Sequence, residues 1–306
     1  MSENKRPFNS RLLLNIGLAL VVLILALVLV FEPGKEAAPE KILLTKLKQD
    51  DITHIHIQRQ DQADIVLEKR GQVWFMLQPY QLAANDFRVT SILQLATAES
   101  HHQYNTADID LAQFKLKTPT VRVTFNQTLT LELGNSDPIK RRRYVKNGPT
   151  LHLITDNIYY NLVATATSYL SYQLLPPDSR FSKLELPALT LQLSQGRWTV
   201  TPKPKNLSAD SITELLNEWR YAQALEVEEY SGPQTPVQIK IHLQDREQPI
   251  GFSLVQEDGE HYLIRHDLKL RYKLSDDLLK NLQELPPPES ISGADPNLDS
   301  ATPGDK

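Results

Sequence analysis

The feature of this sequence that most constrains its fold is an internal repeat. Over residues 52–285 one order of signals occurs twice: a strand pair, a proline, an amphipathic helix, several more strands and a final helix. The first helix of each copy begins behind a capping residue, Asn85 or Ser208, and carries apolar residues at the i, i+3, i+4, i+7 spacing. Because runs of strands precede each helix, we predict an α+β fold with mainly antiparallel sheets and packed amphipathic helices.

The second halves of the two copies match most closely. In each copy a threonine-proline pair introduces a strand whose apolar residues alternate with polar ones, and further strands follow in the same order. The final helices are predicted to begin at Thr155 and Asp156 in the first copy and at Ser275 and Asp276 in the second. The two copies form either two sheets or one continuous sheet.

An apolar segment near the N-terminus predicts a membrane anchor. Residues 12–31 contain no charged side chain, and a helix of about twenty residues spans the roughly 30 Å hydrocarbon core of a bilayer. The flank before it carries Lys5, Arg6 and Arg11 against Glu3, which favours a cytoplasmic N-terminus. A cleaved signal peptide is the alternative, but its apolar region is usually shorter and ends in a small-x-small site.

Six segments follow from these patterns. They are a cytoplasmic stub (1–11), a transmembrane helix (12–31), a linker (32–49), ectodomain repeat 1 (50–175), ectodomain repeat 2 (180–285) and a disordered tail (286–306) rich in Pro, Ser, Gly and Asp. Residues 176–179 form the expected hinge between the repeats.

Composition narrows the compartment and the partners. The chain has no cysteine, which excludes disulfides, thiolate metal sites, a cysteine nucleophile and a lipid-modified cysteine. Together with the anchor, this favours a bacterial inner-membrane protein with a single span and a periplasmic ectodomain. The net charge of −4 argues against nucleic acid as a partner, since phosphate binding depends on clustered Lys and Arg.

Motifs for catalysis or cofactor binding are missing from the sequence. It contains no GxGxxG, GxxxxGK[ST], GxSxG or HExxH stretch. His54 and His56 share one face of a predicted strand and could join His101 or His102 in a metal site, but surface histidines on an edge strand explain the same pattern. Acid-base catalysis needs two carboxylates that converge on one point. The side chains of sequence neighbours such as Glu228 and Glu229 diverge on a strand, so these pairs do not predict an active site. We therefore predict no catalytic residue, no metal and no cofactor.

One basic run is a candidate contact site. Lys140, Arg141, Arg142 and Arg143 lie between two predicted strands and are expected to project from a long hairpin loop. They could contact anionic lipid headgroups, an anionic envelope polymer or an acidic partner surface. The alternative is a solvated loop whose charges discourage edge-to-edge aggregation. The second repeat has an acidic segment, residues 256–260, at the equivalent position.

The arrangement resembles the bacterial membrane-anchored family called domain of unknown function 4340. The residues that carry the resemblance are Trp74, Pro79, residues 85–93, residues 114–119, residues 131–134, Tyr144 and Val145. The family commonly has glycine where this chain has Lys115. The resemblance implies an N-terminal anchor, a duplicated ectodomain and an auxiliary role beside ABC-type transport systems related to the gliding-motility exporter. It implies no reaction and supplies no catalytic residue.

We therefore predict a non-enzymatic binding or scaffold protein anchored in the inner membrane, whose ectodomain contacts another envelope or transporter protein. The motivating features are the apolar segment, the repeat and the missing motifs. The alternative is an envelope hydrolase whose active-site residues are dispersed along the chain.

Overall fold

The computed structural model describes residues 10–31, 41–205 and 207–286. These residues fall into two compact units that divide between Ile42 and Leu43. Most of the predicted stub, the first half of the predicted linker and nearly all of the predicted tail lie outside the described residues.

The first unit contains helix α1, Ser10–Phe31. Residues 13–27 are described in full, and every large apolar side chain among them is exposed. Within the fully described residues, no helix has both the length and the hydropathy needed to cross a membrane. The membrane-spanning role of this segment stays a prediction.

The second unit is an α+β structure with two antiparallel sheets, as the sequence predicts. The first sheet contains β1 (His54–Arg59), β2 (Ile65–Arg70), β3 (Val73–Gln78), β4 (Leu82–Ala83), β5 (Ser100–Asn105), β6 (Val121–Phe125), β7 (Leu129–Asp137), β8 (Arg142–Asn147) and β9 (Thr150–Thr155). The second contains β10 (Phe181–Glu185), β11 (Thr190–Ser194), β12 (Arg197–Thr201), β13 (Glu226–Glu229), β14 (Ile239–Leu243), β15 (Ile250–Glu257), β16 (Glu260–Arg265) and β17 (Leu270–Leu274).

The strand orders of the two sheets correspond. The first runs β4-β3-β2-β1-β6-β7-β8-β9-β5 and the second β12-β11-β10-β14-β15-β16-β17-β13. Apart from the short strand β4, each strand of the first sheet has a counterpart at the same place in the second. The described strands therefore form two sheets rather than one continuous sheet.

Four helices accompany the sheets: α2 (Asp86–Ala96), α3 (Tyr159–Leu162), α4 (Ala209–Tyr221) and α5 (Asp276–Gln283). The predicted caps are confirmed, because Asn85 Oδ1 accepts from the Arg88 N–H at 3.1 Å and Ser208 Oγ from the Ser211 N–H at 3.0 Å. Both sheets contribute to one hydrophobic core. Within it, Trp219 of α4 is fully buried and its Nε1–H donates to the Leu282 carbonyl of α5 at 2.8 Å.

The predicted start of the last helix in repeat 1 is wrong. Thr155 is the final residue of β9, and α3 begins four residues later and is only four residues long. Asp156 does not cap this helix because both of its carboxylate oxygens accept hydrogen bonds from Arg143, at 2.8 and 2.7 Å. The counterpart helix α5 begins as predicted, with Ser275 Oγ accepting from the Leu278 N–H.

Lys115 occupies the left-handed backbone region, with φ of 54°. A side chain in this region costs about 1 kcal/mol, and glycine adopts it without that cost. We expect Lys115→Gly to leave the free energy of unfolding unchanged or to raise it by up to about 1 kcal/mol. At exposed Lys117, where φ is not positive, replacement by glycine should lower the free energy of unfolding by about 0.5 kcal/mol. Chemical denaturation of the two variants measures the difference, and equal losses would contradict the argument.

Candidate functional site

A cleft of about 640 Å³ is lined by residues from both halves of the second unit. One wall comes from the first half: the end of β1, helix α2 and the 3₁₀ turn Ala166–Tyr169. The other wall is β13, the edge strand of the second sheet. The volume lies within the range of typical ligand pockets.

Two backbone hydrogen bonds link the two halves of the second unit beside the cleft. The Leu174 N–H donates to the Ala222 carbonyl at 3.1 Å, and the Ala224 N–H donates to the Tyr172 carbonyl at 2.8 Å. Ala222 directly follows helix α4, and the chain continues from residue 224 into β13. These bonds therefore fix where β13 lies relative to the first half.

Two arginines dominate the first wall. Arg59 is 7% exposed, and its Nη1 and Nη2 donate to the carbonyls of Ala164 and Ala63. Its Nε has no hydrogen-bond partner, and it has no carboxylate within ion-pair distance in the described part of the chain. Desolvation lowers the pKa of Arg59 from its ordinary value. Arg88 donates to the Asn161 side-chain oxygen and likewise has no ion pair among the described residues.

The other side chains that line the first wall are neutral, although the carboxylate of Asp64, which contacts His56, also interacts electrostatically with Arg59. Tyr169 is fully buried, its hydroxyl donates to the Asn161 carbonyl, and burial raises its pKa above the usual range. Thr165, Thr167 and Ser168 add hydroxyl groups to the same wall. The first wall therefore carries two guanidinium groups, and Asp64, the carboxylate that acts on Arg59, lies beyond ion-pair distance from it.

The second wall is acidic. Glu228 accepts from Arg271 Nε at 2.6 Å, and Glu229 accepts from the Tyr80 hydroxyl of the first half at 2.9 Å. Burial raises the pKa of Tyr80, and this hydrogen bond raises it further by a smaller amount. Glu226 is exposed and has no ion pair within 4 Å in the described ranges, but it lies opposite Lys273 in the β13–β17 register and interacts with it electrostatically. The cleft thus has guanidinium groups on one wall and carboxylates on the other.

Sequence reasoning did not identify this cleft, although one signal pointed to Arg59. Ile55, Ile57 and Arg59 alternate along β1, so all three lie on the same, buried face of the strand. An arginine on the apolar face of a strand is unusual and marks a buried charge. The acidic residues of β13 carry no comparable signal, because their position depends on how the two halves pack.

The structure divides the basic run. Residues 138–141 form a turn of only four residues between β7 and β8, shorter than the predicted long loop. Lys140 and Arg141 are exposed and Arg142 is partly exposed, whereas Arg143 is buried at 7% exposure. Arg143 pairs with Asp156, donates to the Gly134 carbonyl and stacks 3.5 Å from the Tyr159 ring centroid. It is therefore unavailable to a partner, and the predicted contact is limited to Lys140, Arg141 and Arg142.

The histidines considered for a metal site do not converge. His54 and His56 lie on β1 and His101 and His102 on β5, with four strands between them in the sheet. At about 4.8 Å per strand, this places the two strands more than 20 Å apart. His56 Nε2 instead contacts Asp64 at 2.8 Å. No cluster of three metal-binding side chains occurs in the part of the chain that the structure describes.

One serine-histidine pair bears on the hydrolase alternative. Ser253 Oγ lies 3.1 Å from His266 Nε2, but Ser253 is fully buried and its hydroxyl lies 3.0 Å from the Thr235 carbonyl, to which it donates. The Thr235 N–H also donates to His266 Nε2 at 3.3 Å, so this nitrogen acts as an acceptor for the backbone. The pair holds the loop that precedes β14 against β15 and does not present an activated hydroxyl to solvent.

His152 predicts a pH dependence of stability. It is 4% exposed, its Nδ1 lies 3.0 Å from Ser100 Oγ, and desolvation lowers its pKa. As the pH falls below about 6.5, His152 becomes protonated in the unfolded chain, whereas in the folded chain it becomes protonated only at a lower pH. We therefore expect stability to fall as pH drops below that value, by up to about 1.4 kcal/mol per pH unit, until the folded pKa is reached.

His152→Asn supplies the comparison for this pH dependence. Its side-chain N–H can replace Nδ1–H as the donor to Ser100, but asparagine does not titrate. The free energy of unfolding of both proteins, measured from pH 7.5 to pH 5, should decline less steeply for the variant. Identical pH profiles would show that His152 does not contribute.

Comparison with known proteins gives one match. The model of the family described as domain of unknown function (DUF4340) matches residues 74–241, which is more than half of the chain. No protein with a curated description and no solved structure matches. The matched segment runs from β3 into β14 and includes α2, the basic turn and β13. The resemblance drawn from the sequence is thereby confirmed, and the chain belongs to the family described as domain of unknown function (DUF4340).

Proposed function

We propose that this protein is a non-enzymatic binding or scaffold protein of the bacterial envelope. Residues 12–31 hold it in the inner membrane as a single span, with the N-terminus in the cytoplasm and the two-sheet unit in the periplasm. The observation that carries the proposal is helix α1, whose fully described residues expose apolar side chains and no charge. Such a surface is costly in water and is matched by lipid.

The two-sheet unit is, in this proposal, a tandem duplication. The corresponding strand orders support it, as do the capped helices, which follow β3 and the short strand β4 in the first half and β12 in the second. Residues 50–175 form one copy and residues 180–285 the other. A duplicated binding unit has two equivalent surfaces, and here their β-turns differ in charge: Lys140 and Arg141 in one, Asp258 in the other.

The orientation is tested by protease treatment of intact cells and of spheroplasts. Periplasmic exposure predicts that residues 43–286 are digested in spheroplasts and protected in intact cells. Protection in both preparations would contradict the proposed orientation.

The partner is tested by crosslinking in living cells followed by purification in mild detergent. The narrower hypothesis, an auxiliary component of an ABC-type transport system, predicts recovery of a permease, an ATPase or an exporter subunit. Recovery of other envelope proteins alone would reject the transport role and keep the scaffold role. Recovery of no partner would contradict both.

The basic turn gives a more specific prediction. Each Lys or Arg near an anionic surface contributes about 1 kcal/mol at low salt. Replacing Lys140, Arg141 and Arg142 with serine should therefore reduce the low-salt yield of crosslinked partner about tenfold or more. The matched control replaces three exposed cations of the second half, Arg197, Lys203 and Lys205. Equal yields from both variants would show that the turn makes no contact.

The hydrolase alternative gains no support from Ser253 and His266, because the Ser253 hydroxyl is buried and donates to the Thr235 carbonyl. Ser253→Ala and His266→Ala test it in the full chain against envelope substrates. Hydrolysis that is present in the natural protein and lost in both variants would favour the enzyme. Hydrolysis that survives both substitutions would exclude this pair.

A further inference from the structure

We propose that the cleft between the two halves binds a short peptide that carries both a carboxylate and a cationic group. The inference rests on the proposed binding role but not on the membrane anchor or on transport. It concerns Arg59 and Arg88 on the first wall and Glu226 on the second.

The first step concerns Arg59. A buried guanidinium is normally paired with a carboxylate, since an uncompensated charge loses its hydration without a replacement. Arg59 has two backbone carbonyls instead, and its Nε has no partner. Arg88, partly exposed on the same wall, has one amide oxygen as its partner. Two guanidinium groups in one wall, neither of them in an ion pair among the described residues, form a site for an anionic group of a ligand.

The second step concerns the opposite wall. A purely anionic ligand such as phosphate would approach the carboxylates of Glu226, Glu228 and Glu229 while it bound the arginines. A purely cationic ligand could bind these carboxylates but would approach the guanidinium groups of Arg59 and Arg88. A ligand with both charges matches both walls, because its carboxylate reaches the arginines and its cation reaches Glu226, which has no ion pair among the described side chains.

The third step identifies the ligand as a peptide. Among the described strands β13 pairs only with β17, and its other edge faces the 3₁₀ turn Ala166–Tyr169, which also lines the cleft. Where this turn does not cover the edge, alternate backbone N–H and C=O groups of the strand can bind an extended peptide while its side chains enter adjacent pockets. The volume of about 640 Å³ accommodates a segment of a few residues rather than a folded domain.

The test uses the full chain in detergent and three probe peptides in ligand-observed NMR titrations at low salt. The first probe, acetyl-Ala-Lys-Ala with a free carboxylate, carries both charges. The second, its C-terminal amide, carries only the cation, and the third, acetyl-Ala-Ala-Ala with a free carboxylate, carries only the anion. We expect the first to bind about tenfold or more tightly than either of the others.

Single substitutions assign each charge to its wall. Arg88→Gln should weaken the first probe about tenfold or more and leave the amide probe unchanged. Glu226→Gln should weaken the first probe and leave the lysine-free probe unchanged. Both residues are at least partly exposed, so these variants are expected to fold, and Arg197→Gln on β12 is the control with unchanged binding.

Equal affinity for the three probes, or unchanged binding in both wall variants, would overturn the inference. This outcome is distinct from a failure of the proposed function. A protein that crosslinks to an envelope partner but does not distinguish the probes would refute only the peptide site. A protein that distinguishes the probes but yields no crosslinked partner would refute only the scaffold role.

Discussion

Replacing Gly134 with alanine is expected to lower the free energy of unfolding by about 3 kcal/mol, the upper part of the range for overpacking in a filled interior. An added Cβ would lie 2.2 Å from the Phe114 carbonyl oxygen and 3.0 Å from Leu116 Cγ. The first of these is a backbone atom and cannot move away by rotation of a side chain. The same segment is held on its other side, where the Gly134 carbonyl accepts from Arg143.

A matched substitution separates lack of space from loss of glycine flexibility. Gly148 has φ of 55° and no atom within 4 Å of an added Cβ, so alanine there should cost only about 1 kcal/mol, from backbone conformation. Chemical denaturation of the full chain, followed by tryptophan fluorescence, gives both values. A loss at Gly134 no larger than that at Gly148 would mean that the segment around Phe114 adjusts easily.

Replacing Arg143 with methionine should have an effect of similar size, about 3 kcal/mol, because it breaks a buried ion pair and leaves one charge behind. The side chain of Asp156 is only 16% exposed and would lose both hydrogen bonds to the guanidinium. The Gly134 carbonyl would lose its contact with Arg143 as well. The neighbouring substitution Arg142→Met, at a position with no ion pair in the described residues, should change stability by less than about 0.5 kcal/mol.

A double-mutant cycle assigns this loss to the pair. Arg143→Met combined with Asp156→Asn should be less destabilising than the sum of the two single changes, because no unpaired charge remains. Additive losses would show that Arg143 acts through its contacts with the Gly134 carbonyl and the Tyr159 ring rather than through Asp156. The measurement is again the free energy of unfolding of the full chain.

The helices and strands were predictable where local signals agreed. Asn85 and Ser208 precede apolar stripes, and both cap a helix in the structure. The start of α3 was not predictable from such signals, because Asp156 has the chemistry of a cap but is held by an arginine thirteen residues earlier in the chain. A capping residue predicts a helix only when its side chain is free to accept from the backbone.

The basic run shows how strand register decides the role of a charge. Four cations in succession read as one exposed group, but in a strand alternate residues face opposite sides. Val145 is buried, so Arg143 lies on the same buried face, and the alternation could have separated it from Arg142. The sequence carries no local signal that Arg59 and Glu226 line the same cleft, because they come together only through the packing of the two halves.

The cleft walls belong to different sheets, and the hydrogen bonds between residues 172–174 and 222–224 are close by. A ligand held by both walls therefore acts as a noncovalent cross-link between the halves. Its binding energy is added to the free energy that holds the sheets together, by about 2.7 kcal/mol when the ligand is present at a hundred times its dissociation constant. Occupancy of the cleft and cohesion of the two halves are thus a single linked equilibrium, in which any force that separates the sheets also expels the ligand.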